Sequence, residues 1–284
     1  MSPGRAHQTP VGLRSHWLRR DWGWLHLVAG GQGPALWLVH GLGGSAHDFY
    51  ALAPLLRGDF TLLIPDLPGS GASDKPALAY SPQLFVDELA ALSTELGLER
   101  AFWMGHSMGG QIVLTLALER PELTRGVVAV CPSGGHVGLG RLHRLALALL
   151  ARPDGHLRLY HRGAIRLWIR YAYGDPSHPS REELTRRVQA QWDSLEGPLV
   201  ERSFVRAGRA LLDRPLWQRL KGVSVPVMMV GGKRDRITPP RHLGRLLGHL
   251  PHGAPYHELP CGHMPVYTMP EELASLATGF FQGP

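Results

Sequence analysis

Ala101-Phe102-Trp103-Met104-Gly105-His106-Ser107-Met108-Gly109-Gly110 is the stretch whose reading decides the fold. Residues 101–104 form a short continuous apolar run, the pattern of a strand buried on both faces. Residues 108–119 carry a helical pattern that stops before Pro121. Between them sits Gly-x-Ser-x-Gly with one further glycine. That composition suits a strand-to-helix turn too tight for Cβ atoms around a strained serine. The first N–H groups of the helix, and its positive dipole end, then lie where an oxyanion would form beside Ser107. Ser107 is therefore a candidate nucleophile, and Met108 a candidate backbone donor.

Working outward, the same strand signature recurs at residues 35–39, 61–64, 127–130 and 226–230, with a last strand expected over 255–259. Residues 17–27, broken by Asp21 and Gly23, read as an opening hairpin. Helical stretches lie between the strands; one opens at Ser81-Pro82, where serine can cap and proline fits the first helical position. Strands alternating with helices imply a mostly parallel sheet covered on both faces. From Gly134 to Gly222 the rhythm changes to amphipathic helical patterns, such as residues 142–151 and 157–173, punctuated by Pro176, Pro179, Pro198 and Pro215. The expected organisation is a core of residues 1–133 and 223–284 with a helical insertion over 134–222.

A serine nucleophile needs a base, and the base needs an orienter. His263, in Cys261-Gly262-His263-Met264-Pro265, follows the last expected strand; Asp235 follows the strand at 226–230. Both lie at the C-terminal ends of strands, the edge where open parallel sheets place their sites. A rival position for the acid, after the preceding strand, reads Cys131-Pro132-Ser133 and offers no carboxylate. His40-Gly41-Leu42-Gly43-Gly44, directly after the strand at 35–39, can aim the Leu42 N–H at the same place as that of Met108, completing an oxyanion hole. The loop from Asp66 to Asp74 lacks the lysine and spacing of a phosphate-binding loop and reads as structural, its aspartates bonding nearby backbone. His249 and His252 have no third ligand beside them, so no metal is expected.

Composition narrows the classes. Two cysteines, Cys131 and Cys261, are too few for a disulfide framework and suit a reducing compartment. The N-terminal residues have no apolar stretch of the signal-peptide kind, and no run is long enough to span a bilayer, so the expected location is cytoplasmic. Net charge is +7, and its excess sits in the middle segment: residues 134–222 hold 16 Lys/Arg against 8 Asp/Glu. Nearly all are arginines, dispersed along helical stretches rather than in a compact basic run. Solvated helix faces, not nucleic-acid binding, are expected.

With the four segments in place, the sequence resembles the α/β-hydrolase superfamily, in particular its cap-bearing branch of serine esterases and carbon–carbon hydrolases. The likeness runs from about Trp17 to Phe281 and is specific in residues 40–44, 66–73, 105–110, Asp235 and Gly262-His263. It implies an eight-stranded sheet, with residues 134–222 as the cap that covers the pocket. It further implies Ser107, Asp235 and His263 as the catalytic triad, with Leu42 and Met108 as oxyanion donors. Haloalkane dehalogenases and epoxide hydrolases resemble the scaffold but carry aspartate where Ser107 stands. Carbon–carbon hydrolases usually carry asparagine at the place of His106. The expected activity is cleavage of a small-molecule carboxylic ester through an acyl-enzyme, without a cofactor. Carbon–carbon cleavage, acyl transfer, lyase chemistry or a slow-turnover receptor role on the same machinery are the alternatives. Trp168, Tyr171, Tyr173 and Trp192 are expected in the core more than in the pocket lining.

Overall fold

The structure is a computed structural model and describes residues 8–135, 162–174, 180–182, 184–185, 188–189, 216–251 and 253–283. Leu13–Arg20 (β1) and Gly23–Gly31 (β2) form the opening antiparallel hairpin, with Arg20 opposite Gly23. The later strands are Ala35–Val39 (β3), Thr61–Pro65 (β4), Ala101–His106 (β5), Thr124–Val130 (β6), Val227–Gly232 (β7) and Tyr256–Leu259 (β8). All eight join one sheet in the order β1-β2-β4-β3-β5-β6-β7-β8, antiparallel across β1, β2 and β4 and parallel from β4 onward. Several strands run beyond their apolar cores. β5 continues through Gly105 and His106 because these residues pair with Ala129 and Val130 of β6.

Helices Ala53–Leu56 (α1), Pro82–Glu95 (α2), Met108–Glu119 (α3), Arg162–Tyr173 (α4), Pro240–Leu247 (α5), Pro265–Thr268 (α6) and Pro270–Gln282 (α7) accompany the strands. α2 begins as its sequence dictates: Leu84 N–H donates to the Ser81 hydroxyl, and Pro82 takes the first helical position. The period-two pleat of the sheet divides its side chains between two cores. In β3, Trp37 and Val39 pack with α2, α3 and α5; Leu36 and Leu38 pack with α1 and α7. Trp37 stacks on Trp103, its register partner in β5, at 5.2 Å between ring centroids.

Within the expected insertion, α4 turns Ile165, Ile169 and Tyr173 inward, where they pack with Leu184, Val188, Met264 and Tyr267. Arg162, Arg166 and Arg170 lie on its exposed face. The helical stretch expected over 142–151, and Trp192, lie outside the described residues, as does the side chain of Trp168. Tyr173 is buried, as expected of a core residue, whereas Tyr171 is 45% exposed. No helix among the described residues is long and apolar enough to cross a membrane.

The strand order fixes where a site can form. From β3 the polypeptide moves to one neighbour, β4, and then returns to the other side of β3 as β5. The connections leaving the C-terminal ends of β3 and β5 therefore diverge and open a crevice between them. The His40–Gly44 turn and Ser107 both lie at that edge.

Candidate active site

Ser107 occupies a backbone conformation that few residues accept, with φ 56° and ψ −114°. A non-glycine residue holds such a conformation only when its surroundings over-determine it. Here Ser107 N–H donates to Val130 O, and Ser107 O accepts from Ser133 N–H and Gln111 N–H. The neighbouring glycines are demanded by close approach. A Cβ on Gly105 would fall 2.2 Å from Gly109 O, and one on Gly109 would fall 2.0 Å from Val39 O. The strand-to-helix turn at Ser107, a nucleophile-elbow geometry, is thus pressed against the end of β3. A Cβ on Gly41 would lie 3.0 Å from Ser107 Cβ, so the His40–Gly44 turn borders the serine directly. Met108 is the first residue of α3, where helical N–H groups have no partner within the helix.

Asp235, after β7, and His263, after β8, reach the same point. His263 Nε2 is 2.9 Å from Ser107 Oγ, and His263 Nδ1 is 2.7 Å from Asp235 Oδ2. A carboxylate only accepts, so the Nδ1 proton goes to Asp235 and the Nε2 lone pair faces the serine hydroxyl. Asp235 and His263 are each 4% exposed, while Ser107 remains partly open to solvent. Burial alone would push the Asp235 carboxyl up. Hydrogen bonds from His263 and from the Thr238 side chain and backbone overcome it and hold the group down at about 2.

Sequence reading missed the groups that brace this hydrogen-bonded series. Thr238 Oγ1 lies 2.7 Å from Asp235 Oδ2 and 3.0 Å from Cys131 O, and the N–H groups of Ile237 and Thr238 both donate to Asp235 Oδ1. The spacing Asp235-x-x-Thr238 is the local signal that could have found this, since aspartate side chains bond backbone two and three residues on. His263 N–H donates to Ala172 O at the end of α4, at 2.8 Å. Gly262 allows that approach: a Cβ there would fall 2.0 Å from Tyr173 O. On the opposite rim, the Tyr267 hydroxyl donates to Asp48 and the Tyr267 ring stacks on Tyr173. No local sequence pattern announces these contacts, because each joins segments far apart in the sequence.

Cys131, Asp235 and His263 present possible ligand atoms within 4.8 Å of one another, the one such trio among the described residues. The chemistry of the set does not suit an ion. Burial pushes the Cys131 thiol well up, leaving it neutral, and the carboxylate and imidazole already bond each other. The Asp66 loop behaves as a scaffold: Asp66 accepts from Ala46 and Ala72 N–H, and Asp74 accepts from Trp24 N–H. Asp66 also bonds His26 Nδ1 at 2.8 Å, a buried pair that the sequence reading did not foresee.

A mostly parallel sheet with a strained serine turn at its switch point defines an α/β hydrolase. A family model for the alpha/beta hydrolase fold matches residues 34–270, and the chain belongs to that family. Among curated proteins it is similar to a pimeloyl-[acyl-carrier protein] methyl ester esterase of Methylococcus capsulatus, with 29% identity over 90% of this chain and 98% of that protein. Among solved structures it is similar to a hydrolase of Pseudomonas aeruginosa, with TM-score 0.81 and 21% identity over 95% of this chain and 98% of the other. It is also similar to the carboxylesterase CesB of Bacillus subtilis, with TM-score 0.80 and 22% identity over 97% of this chain and 93% of the other. At these identities the two structural likenesses are likenesses of fold.

Proposed function

We propose that this α/β hydrolase is a serine esterase acting on a small-molecule carboxylic ester, with Ser107 as nucleophile, His263 as general base and Asp235 as its orienter. The observation that carries the proposal is the serial contact Ser107 Oγ–His263 Nε2–His263 Nδ1–Asp235 Oδ2, at 2.9 and 2.7 Å. In the first half-reaction His263 takes the Ser107 proton as Oγ attacks the ester carbonyl carbon. The tetrahedral oxyanion rests on the N–H groups of Leu42 and Met108. Collapse expels the alcohol, which takes the proton from His263, and leaves the acyl group on Ser107. Water then attacks with His263 again as base, and the acid departs as Ser107 regains its proton.

The curated relatives support an ester as substrate: pimeloyl-[acyl-carrier protein] methyl ester esterases of two organisms are 28 and 29% identical to this chain over nine-tenths of its length. A methyl ester has a small alcohol, so short alcohols are the leaving groups to test first. In this reading residues 134–222 form a cap over residues 1–133 and 223–284, supported by the bond from His263 N–H to Ala172 O. The two buried free cysteines fit a cytoplasmic enzyme. Neither step needs a cofactor. The test is hydrolysis of p-nitrophenyl butyrate and of methyl esters by the protein and by Ser107→Ala. The variant is expected to stay folded and lose about a thousandfold or more in kcat. Turnover unchanged in the variant would refute the proposal.

A further inference from the structure

His106 stands between Gly105 and Ser107 at the end of β5, 2% exposed and outside the serine–histidine–aspartate relay. Its Nε2 lies 2.7 Å from the backbone oxygen of His263. A carbonyl oxygen only accepts, so His106 must carry its proton on Nε2. Its Nδ1 is then a bare lone pair, and no hydrogen-bond partner among the described residues reaches it. That side of the ring borders the tight turn at Gly41, where a Cβ would lie 3.5 Å from Nδ1.

The consequence falls on His263. Its backbone N–H is held by Ala172 O of α4, and its backbone carbonyl oxygen is held by His106 on β5. Both bonds flank the same Cα, so together they fix the backbone from which the imidazole projects. His263 sits in a loop after β8 with no ladder to hold it. Without the bond to His106, that loop would be anchored at the histidine backbone from the α4 side alone.

We propose that His106 is a positioning residue for the esterase reaction: as a neutral Nε2–H imidazole it sets the placement of His263 against Ser107. The proposal rests on the reading of Ser107, His263 and Asp235 given above. It explains why a donor of this length stands next to the nucleophile. It also gives His106 a required charge state. A second proton on Nδ1 would create a buried cation with no acceptor among the described residues, its ring centroid 5.0 Å from that of His263, which must itself become cationic during turnover. The charged and titratable groups that face it are His263, Asp48 and Asp235, from three separate segments. Burial first, and the proximity of His263 second, hold His106 at about 4, so it is neutral across the working range.

The test compares His106→Gln, which keeps an amide N–H at nearly the reach of Nε2 but cannot titrate, with His106→Phe, which removes the donor. His106→Phe is expected to lose about tenfold or more in kcat on p-nitrophenyl butyrate with KM little changed, and His106→Gln to stay within about threefold of the parent. In proton NMR, the low-field Nδ1–H of His263 in its bond to Asp235 should persist in the parent and His106→Gln and shift or broaden in His106→Phe. Below about pH 5 the acid limb of the parent should steepen as His106 begins to protonate, and His106→Gln should lack that steepening. Should the phenylalanine variant not fold, His106→Leu carries the same comparison. Equal kcat and an unmoved resonance in the donor-less variant would overturn the proposal; so would equal impairment of the glutamine and donor-less variants. A parent with the resonance but no Ser107-dependent ester turnover would instead refute the esterase reading, and the resonance alone would then decide the role of His106.

Discussion

Gly262→Ala should damage turnover far more than its size suggests. The ideal Cβ at this position falls 2.0 Å from Tyr173 O, 2.5 Å from Tyr173 C and 2.9 Å from Ala172 O. The first two are roughly 1 Å or more inside ordinary contact, and all the opposing atoms are backbone, which cannot swing aside as a side-chain tip would. Either α4 or the Gly262–His263 segment must retreat. Both movements stretch the 2.8 Å bond from His263 N–H to Ala172 O, and His263 carries the 2.9 Å contact to Ser107 Oγ. Overpacking of this kind costs about 1–3 kcal/mol of stability. A displacement near 1 Å at a reacting group costs about a hundredfold in rate. Ester hydrolysis should therefore show kcat down about 100-fold, beside a lower urea midpoint. Gly244→Ala serves as the control. Gly244 lies within α5 with nothing within 4 Å of its ideal Cβ, so that change should leave kcat alone and add about 0.5–1 kcal/mol of stability. A Gly262→Ala protein with kcat within threefold of the parent would refute the claim that α4 and His263 are held in register by this contact.

Thr238→Val keeps the shape of the side chain but removes the hydroxyl 2.7 Å from Asp235 Oδ2. The carboxyl should rise from about 2, and kcat on short esters should fall several-fold; an unchanged rate would show that the hydroxyl serves only Cys131 O. Stability should also report Asp235 directly. Its folded pKa of about 2 lies below the ordinary 3.8, so the contribution is complete above about pH 4 and is lost as pH falls through 2. The shift corresponds to about 2 kcal/mol. Denaturant unfolding of the parent and of Asp235→Asn should accordingly converge by about that amount between pH 5 and pH 2, and parallel curves would contradict it.

What could be read from the sequence was whatever repeats locally. Buried strands announce themselves as apolar runs, which is why residues 35–39 coincide with β3 and why Ser81-Pro82 marks the start of α2. The elbow was legible because three glycines within six residues have few other uses beside a serine. Asp235 and His263 were singled out by their places just past strands at the expected edge, by their order after Ser107, and by the family resemblance; the structure brings the three side chains within hydrogen-bond distance. The bracing groups were not legible, and the reason is distance along the sequence. His106 meets His263 across 157 positions and Tyr267 meets Asp48 across 219. Neither pair leaves any periodicity or spacing to read. The pairing of β5 with β6 past Met104 was hidden for a related reason: Gly105 and His106 join the ladder through backbone bonds that their side chains do not advertise.

A hydroxyl, an imidazole and a carboxylate in series do not by themselves make a nucleophile, and this fold carries its own counter-example. Ser15 Oγ lies 2.9 Å from His26 Nε2, and His26 Nδ1 lies 2.8 Å from Asp66 Oδ2, nearly the distances found at Ser107. The backbones differ. Ser15 sits within β1, opposite Val28 of β2, whereas Ser107 stands at positive φ on a turn that opens α3. Only Ser107 therefore has a helix N-terminus behind its hydroxyl, where developing negative charge can be met by peptide N–H groups. The second series is a brace. Asp66 accepts the Ala46 and Ala72 N–H groups, and Leu67 N–H donates to His40 Nε2. These bonds fix both sides of the His40–Gly44 turn that borders Ser107. The same three side-chain types thus meet at a strained turn that opens a helix in one place, and in the other they brace that turn from a regular strand.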